Sequence, residues 1–408
     1  MHEKDVLISG GGIAGPALAH WLVRAGYRPT IVERAPAPRP GGQTVDLRGA
    51  GRTVVERMGL LPAVRAVTVE ERGVAYVDTA GRWLGQMSAE AFGGEGVVAE
   101  IEVMRGDLAQ VLLDAAGDGV EYLYDDAITA IEQDEDGVTV RFQRAAERRF
   151  GLVVGADGLH SGVRALAFGP EERFVRALGC VTAFFTVPDR YGLDGWMRMY
   201  NAPGTMLALR PDRVPGQVKA LMGFRTPQAG VHRRNPAAQR ALLTRTFAGT
   251  GWVADQVLAD LQDSTDLVVE EIGQTRMESW SSGRVVLLGD AAWCPSPLSG
   301  LGTSTALVGA YVLAGELARA AGEHRRAFAA YEDVMRPYIA QAQELPPGGV
   351  NGFVPKTRLE IGLRTHMIRW MTRWPLRNLM AAQFGKADAI ELPDYEVQEH
   401  PLVSTQVE

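Results

Sequence analysis

The stretch Asp5-Val-Leu-Ile-Ser-Gly-Gly-Gly-Ile-Ala-Gly15 decides the fold of this chain. Its apolar residues 6–8 predict a short buried strand, and residues 14–24 predict a helix directly after it. Between strand and helix lie three glycines at the G-x-G-x-x-G spacing: Gly10, Gly12 and Gly15. This spacing allows a tight turn, close approach of the backbone to a pyrophosphate, and close packing of the helix on the strand.

A second strand, Thr30-Ile-Val, completes the unit and ends in Glu33 and Arg34. A carboxylate at this position accepts hydrogen bonds from both ribose hydroxyls and repels a 2′-phosphate. The pyrophosphate would lie at the helix start, beside Ile13 and Ala14, where free N–H groups form the positive end of the helix dipole. Strand, helix, strand and terminal acid together predict a nucleotide-binding β-α-β unit.

Composition excludes several classes of function. The chain has 408 residues and a net charge of −7, so no general basic character indicates nucleic-acid binding. Its apolar stretches are too short to predict a membrane span. The two cysteines, Cys180 and Cys294, and the scattered histidines predict neither a disulfide framework nor a metal site. We expect a cytoplasmic protein, monomeric or homodimeric.

Two further glycine-acid motifs follow predicted strands. Residues 150–155 lead into Asp157-Gly158, and residues 284–288 lead into Gly289-Asp290. The second of these continues through a proline- and glycine-rich turn, residues 295–302, into a long helical pattern. Each strand ends in an acid at the sheet edge where open α/β sheets bind ligands.

These three motifs, in this order, resemble those of the class A flavoprotein monooxygenases, the para-hydroxybenzoate hydroxylase type. Two other segments are similar to the tetracycline-inactivating subgroup of that family: residues 41–52, a loop beside the flavin, and residues 104–113, an arginine-headed helix. The resemblance covers most of residues 1–170 and 280–335, whereas the middle of the chain matches only in outline.

The resemblance implies an FAD site and assigns residues to it. Glu33 would hold the adenosine ribose, the glycines of the first motif the pyrophosphate, and Asp290 the ribityl chain. Arg105 would contact FAD near its phosphates, and the Asp157-Gly158 motif would also meet NAD(P)H transiently. The full predicted set is Gly10, Gly12, Ile13, Ala14, Gly15, Glu33, Arg34, Arg48, Arg105, Asp157, Gly158, Gly289, Asp290, Pro297, Gly300, Leu301 and Gly302.

The sequence departs from the family pattern at two places. Many relatives have His where this chain has Trp293, and G-Q-G-x-N where it has Gly300-Leu-Gly-Thr-Ser304. The missing Gln and Asn side chains remove possible contacts to the rim of the flavin. Backbone amides at the start of the long helix would still stabilise the anion of reduced flavin.

The predicted fold class is α/β, with interleaved domains. A Rossmann-like FAD-binding domain with a parallel sheet takes residues 1–72, 97–172 and 276–342, and a β-sheet substrate domain takes 73–96 and 173–275. A long C-terminal helix is predicted for 356–385, kinked at Pro375. Its basic, apolar-striped pattern is compatible with a membrane surface, but a brace between the two domains is the interpretation that we favour.

Several side chains of the middle region could line a pocket for a large flat substrate, because thioethers and aromatic rings adapt to such shapes. They are Met197, Met199, Met206, Met222, Phe184 and Phe224, with Pro295 from the third motif. For any single one, a place in the core is the ordinary alternative. Arg198, Arg210 and Arg225 could steer phosphates or an acidic substrate, or could form a solvated sheet face.

The expected function is FAD-dependent monooxygenation. NAD(P)H would reduce the flavin, O₂ would form a C4a-hydroperoxide, and one oxygen atom would pass to an aromatic or polycyclic small molecule by hydroxylation or Baeyer–Villiger insertion. The cofactor carries this chemistry, so no protein acid or base is assigned a catalytic role. A reductase or oxidase without oxygen transfer, and a non-catalytic FAD-binding scaffold, are the alternatives.

Overall fold

A computed structural model describes residues 4–39, 41–92, 101–227, 230–371 and 385–395. The strands are β1 (Asp5–Ser9), β2 (Arg28–Glu33), β3 (Thr44–Asp46), β4 (Gly73–Val77), β5 (Trp83–Ser88), β6 (Glu102–Met104), β7 (Glu121–Tyr124), β8 (Ile128–Gln133), β9 (Val138–Phe142), β10 (Arg148–Phe150), β11 (Leu152–Gly155), β12 (Val175–Pro188), β13 (Trp196–Ala202), β14 (Thr205–Pro211), β15 (Gln217–Arg225), β16 (Val268–Thr275), β17 (Ser281–Ser282) and β18 (Val285–Leu287). The helices are α1 (Ala14–Arg24), α2 (Gly49–Arg57), α3 (Leu61–Ala66), α4 (Arg105–Ala116), α5 (Gly162–Ala167), α6 (Pro236–Phe247), α7 (Ala254–Asp263), α8 (Asp290–Trp293), α9 (Gly302–Arg319), α10 (His324–Ala342), α11 (Gly349–Phe353) and α12 (Arg358–Met371). The predicted α/β class is confirmed.

A six-stranded sheet brings the three motifs together. Its strand order is β17-β18-β11-β1-β2-β7, and every neighbouring pair is parallel except β17 with β18. In the register of the sheet, Ser9 lies beside Val32 and Gly155, and Gly155 lies beside Leu287. The four strands β2, β1, β11 and β18 therefore release their motifs side by side at one carboxyl edge.

A seven-stranded sheet, ordered β16-β12-β15-β14-β13-β4-β5, forms the second layer. Its strands come from residues 73–88 and 175–275, within the ranges that the sequence assigned to a substrate domain. We call outer the face on which Leu207, Leu209 and Met222 pack with α6 and α7. The inner face carries Val74, Met197, Met199 and Met206, and Leu298 of the third motif packs against it. The domain boundaries themselves stay a prediction.

Helix α9 is the centre of the larger core. It runs for 18 residues and is buried from Thr303 to Leu317, packed by α1, α2 and α10. A helix that is apolar on all sides has to be enclosed in this way. Because α9 starts directly after the turn of the third motif, its N-terminus is fixed relative to the carboxyl edge of the six-stranded sheet.

The predicted C-terminal helix over 356–385 is described only in its first part, as α12, and its full extent stays a prediction. Helix α12 packs on β5 and β13, and residues 372–384, with Pro375, lie outside the described residues. Residues 385–395 then lie along the helical layer of the first sheet. The Tyr395 ring covers Gly315, where a Cβ would be 2.3 Å from it, and its hydroxyl donates to Glu316 at 2.7 Å.

The outward surface of α12 is apolar. Leu359, Leu363 and Met367 are 82%, 64% and 48% exposed, one helical turn apart. Within the described residues, no helix is both apolar enough and long enough to cross a bilayer. The packing of α12 on the second sheet is compatible with a brace.

Candidate active site

The glycines of the first motif differ in what surrounds them. Gly10 has φ +114°, and a Cβ on it would lie 2.4 Å from the Ala156 carbonyl oxygen. A Cβ on Gly15 would lie 2.0 Å from the Gly10 carbonyl oxygen. Beside Gly12, by contrast, the nearest atom is Nη2 of Arg105, at 3.5 Å. Gly10 and Gly15 are therefore required by packing, whereas Gly12 leaves room for a ligand.

The carboxylate of Glu33 is fixed at the end of β2. It accepts from the backbone N–H of Gly11 at 2.8 Å and of Ala35 at 2.9 Å. These bonds fix its orientation beside the first motif. Arg34, in contrast, is exposed, and its assignment to the cofactor stays a prediction.

The carboxylate of Asp157 accepts hydrogen bonds from within the protein, at the start of α5. Its carboxylate accepts from Ser161 Oγ at 2.5 Å and from the N–H groups of Gly162 and Val163 at 2.8 and 3.1 Å, where α5 starts. Burial raises the pKa of Asp157, and the bond from Ser161 opposes that rise. The neighbouring Gly158 has φ +84° and open space beside it. A contact of this motif with FAD or NAD(P)H stays a prediction, and Gly158 is the better placed residue.

The third motif touches the first. Gly289 has φ +64°, and its Cβ position lies 3.3 Å from Cβ of Ala14 at the start of α1. Burial raises the pKa of the following Asp290 above its ordinary value, and the positive charge of Arg105 makes this rise smaller. Arg105 in turn lies 3.8 Å from Oε1 of Glu270 on the second sheet. The predicted residues of three separate segments thus converge.

The turn before α9 is built from unusual backbone. Ser296 is buried with φ +84°, and Gly300 has φ +68°. Pro297 is exposed in a short 3₁₀ helix, and Leu301 precedes α9 without a side-chain cap. The first N–H groups of α9, from Gly302 on, therefore have no side chain of their own N-cap as partner.

A partly buried ion pair lies next to this turn and supports it. Arg48 donates to Asp46 at 3.0 Å, and Asp46 lies 3.4 Å from the Cβ position of Gly300. Ser304, in the first turn of α9, donates its hydroxyl to the Arg48 carbonyl at 3.0 Å. Ser304 therefore fastens the Arg48 loop to α9, which the sequence comparison of Ser with Asn did not predict.

Trp293, the other departure from the family pattern, lies in the core. Its ring packs on Trp280 at 4.6 Å and on Tyr331 at 5.9 Å between centroids. It also fills the space beside Gly309 of α9, where a Cβ would lie 2.8 Å from the ring. This side chain stabilises the base of the third motif.

The predicted substrate residues divide between two faces. Met197 and Met199 lie on the inner face with Met206, which the sequence also proposed for the pocket. Phe353 and Leu298 pack there too, and the sequence did not assign them to the pocket. Pro295 is buried, and its carbonyl accepts from Gln274 at 3.0 Å. Met222 and Phe224, however, lie on the outer face. Because residues of α6 and α7 cover that face, the packing favours a place in the core for these two, and their assignment to a pocket stays a prediction.

Arg210 is neither a solvated residue nor a free one. It donates to Glu71 at 2.8 Å and also to Glu102 and to Thr44, and both glutamates are almost fully buried. We call Arg210, Glu71, Glu102 and Thr44 the Arg210 cluster. Oxygen Oε1 of Glu71 is buried without a hydrogen-bond partner. The cluster joins β14 of the second sheet to the pair β3 and β6 beside the Arg48 loop.

Replacing Glu71 by Gln is expected to change how stability depends on pH. Burial raises the pKa of Glu71 despite the charge of Arg210, so the folded protein retains a proton that the unfolded chain loses near pH 4.3. The folded state then binds more protons, and this contribution to stability falls as pH rises through the raised pKa. In urea denaturation, the free energy of unfolding of E71Q relative to that of the natural protein should be higher at pH 8 than at pH 5. The same difference in unfolding free energy between the two proteins at both pH values would contradict this prediction.

The described residues fit a bound dinucleotide. Helices α1 and α9 both lack a side-chain N-cap, Gly12 is open, and Asp290 with Arg105 supplies a part-buried carboxylate and a cation. Such helix starts bind phosphate and other anions. No group of three described His, Cys, Asp or Glu side chains is placed to hold a metal ion.

Comparison with known proteins identifies the cofactor. The family model "FAD binding domain" matches residues 3–344. A flavin-dependent monooxygenase from an unknown prokaryotic organism is 38% identical over 342 residues, which is 84% of this chain and 88% of that protein. The chain belongs to the FAD-dependent monooxygenases.

Two further relatives support this assignment over nearly the whole chain. The FAD-dependent monooxygenase asL4 of Sarocladium schorii is 32% identical, with 97% of this chain and 99% of that protein covered. The crystal structure of the tetracycline destructase Tet(55) matches with a TM-score of 0.81 at 34% identity, covering 96% of this chain and 99% of that one. This FAD-dependent monooxygenase therefore has the fold and the cofactor that its motifs predicted.

Proposed function

We propose that this enzyme uses NAD(P)H and O₂ to insert one oxygen atom into an aromatic or polycyclic small molecule. The bound flavin would supply the redox and oxygen chemistry: one atom of O₂ passes to the substrate and the other leaves as water. The two electrons that balance this reaction come from NAD(P)H. Both hydroxylation and Baeyer–Villiger insertion fit this balance.

One observation carries the proposal for the substrate. Leu298, in the turn expected to flank the isoalloxazine, packs in the same apolar cluster as Met197, Met199 and Met206 on the inner face. Flat apolar molecules bind such thioether- and aromatic-lined surfaces. The likeness to a tetracycline destructase, an enzyme named for a polycyclic molecule, supports the same substrate class.

In this proposal the protein binds, orients and stabilises. The N-terminus of α9 would lie against the flavin ring, where its N–H groups stabilise the negative charge of the reduced form. Asp290 would accept hydrogen bonds from the ribityl chain, and Arg105 would face the phosphates across Gly12. The inner face would hold the substrate and exclude water.

The test is a screen for NAD(P)H oxidation with polycyclic aromatic compounds, with ¹⁸O₂ incorporation and hydrogen peroxide both measured. A labelled product supports the proposal. Substrate-independent oxidation that yields only peroxide would indicate a reductase or oxidase. Failure of either nicotinamide to bleach the flavin would indicate a scaffold. A cytoplasmic location and a monomeric or homodimeric state also remain predictions.

Replacing Asp290 by Ala is expected to give largely colourless protein. A hydrogen bond to a charged group contributes about 1.5–3 kcal/mol, so the affinity for FAD should fall by about 10- to 100-fold. The ratio of flavin to protein absorbance, and titration of the apoprotein with FAD, measure this loss. Asp333→Ala, on helix α10, is the control for loss of a carboxylate elsewhere. Stoichiometric flavin in D290A would contradict the assignment.

A further inference from the structure

A cleft of about 480 Å³ lies between α12 and the ends of β4 and β13. The two strands run parallel, so their carboxyl ends open into the same space. From the strands come Tyr76, Met199 and Asn201, and from α12 come Ile361 and Arg364. None of the expected FAD contacts lies here, and neither the motifs nor the comparisons assign the cleft a role.

Arg364 is the central polar group of this cleft. It donates to Oδ1 of Asn201 at 3.0 Å and to the hydroxyl of Tyr76 at 3.1 Å, and its guanidinium lies 4.9 Å from the centre of the Tyr76 ring. Weaker contacts join it to the Phe353 carbonyl and the sulfur of Met199. Every one of these described partners is neutral. The guanidinium is therefore held in place, and no carboxylate among the described residues forms an ion pair with it.

The other charged groups leave the cleft positive. Arg358 lines the same wall. The carboxylate of Asp78, at the rim, accepts from the N–H groups of Ala80 and Arg82 and from Nε of Arg82 within its own turn. Glu360, on α12, accepts from backbone N–H groups at the start of that helix. An anion in the cleft would thus meet two guanidinium groups.

Much of the remaining lining is apolar and suits a flat ring. Val77, Leu84, Met199 and Ile361 join the Tyr76 ring around the cleft. Aromatic ligands bind surfaces of this kind, and a guanidinium pairs with planar oxyanions in two-bond geometry. Met199 belongs both to the lining of this cleft and to the apolar cluster of the inner face proposed above for the substrate.

We propose that this cleft binds a planar aromatic anion, whose carboxylate, phenolate or enolate oxygens pair with Arg364, and that this anion is the acidic part of the substrate. The second half of this statement rests on the proposed function. Arg364 is then a specificity-determining residue: it selects acidic aromatic molecules over neutral ones of the same shape.

The test measures equilibrium binding to the FAD-loaded enzyme without NAD(P)H, so that it does not depend on turnover. The probes are 3-hydroxy-2-naphthoate and its neutral methyl ester, followed by their fluorescence. The variants are Arg364→Met, which removes the charge, Arg364→Lys, which keeps it, and Arg326→Met, an exposed arginine of α10, as the matched control. Thermal midpoints check that each variant is folded.

We expect the natural enzyme to bind the acid more tightly than the ester. R364M should bind the acid about tenfold more weakly and the ester with unchanged affinity, because only the acid loses a charge-assisted hydrogen bond. R364K should retain most of the preference, and R326M all of it.

Equal binding of acid and ester by the natural enzyme would overturn the proposal, as would an unchanged acid affinity in R364M or an equal loss in R326M. If R364M does not fold, loss of the preference in R364K alone would count against a charge-based site. Acid-selective binding in this test, together with no labelled product in the ¹⁸O₂ screen described above, would retain the cleft and overturn the proposed function instead.

Discussion

Gly15→Ala is expected to destroy FAD binding by unfolding the first β-α-β unit. The added Cβ would lie 2.0 Å from the carbonyl oxygen of Gly10 and 3.3 Å from Ile8. A carbonyl of the backbone cannot rotate away as a flexible side chain can, so helix α1 would have to move off the sheet. Overpacking in such a core typically costs 1–3 kcal/mol, and here we expect about 3 kcal/mol or more. Thermal unfolding of the apoprotein measures the loss.

Gly12→Ala is the matched control. Its Cβ would meet only the end of the Arg105 side chain, at 3.5 Å, and its φ lies outside the left-handed region. The apoprotein should therefore melt close to the natural one, while its affinity for FAD falls at least about tenfold, because the methyl group occupies the space left for the pyrophosphate. A G15A apoprotein as stable as G12A would contradict the packing argument.

Arg210→Met is expected to cause a large loss of stability. The substitution removes the cation that Glu71 and Glu102, both nearly fully buried, share. Breaking a buried ion pair from one side costs about 3–5 kcal/mol, because the remaining charge keeps its desolvation penalty. The midpoint of urea unfolding of the FAD-loaded enzyme measures the effect.

Arg213→Met provides the comparison, three residues along the chain. Arg213 pairs with Asp107 at 3.1 Å, but its side chain is 46% exposed, against 17% for Arg210. An exposed pair contributes at most about 1 kcal/mol. Similar midpoints of urea unfolding for R210M and R213M would show that the Arg210 cluster is solvated and would contradict the argument from burial.

Much of this structure could be predicted because its motifs are local. The spacing of Gly10, Gly12 and Gly15 specifies a turn in which Gly15 packs against the carbonyl of Gly10, only five residues before it. The strands before Asp157 and Asp290 are continuous apolar runs, which is what parallel strands buried on both faces require. Parallel pairing then places the three motifs at one edge, as the register of Ser9, Gly155 and Leu287 confirms.

The second sheet was less predictable, and Met222 and Phe224 show why. Alternation along β15 indicates that residues 218, 220, 222 and 224 share a face, but not which face. Both faces of this sheet are covered, the outer by α6 and α7 and the inner by α11 and the turn at Leu298. Apolar residues on either face therefore look alike in the sequence.

Long-range polar contacts were not predictable at all. Arg210 meets Glu71 and Glu102, which precede it by more than a hundred residues. No local spacing signals such a contact, and an arginine in a strand is more often solvated. The same holds for Ser304 and the Arg48 loop, where a residue that departs from the family pattern has its own structural partner.

The meeting of Gly315 and Tyr395 has a consequence for how this protein can evolve. The ring of Tyr395 occupies the place of a side chain at position 315. Any larger residue at 315 would displace Tyr395 from α9. Loss of the aromatic ring would leave a cavity beside a glycine in a buried helix. The two positions, 80 residues apart, should therefore change together across related enzymes. We expect either glycine at 315 with an aromatic residue at 395, or a larger residue at 315 without an aromatic residue at 395.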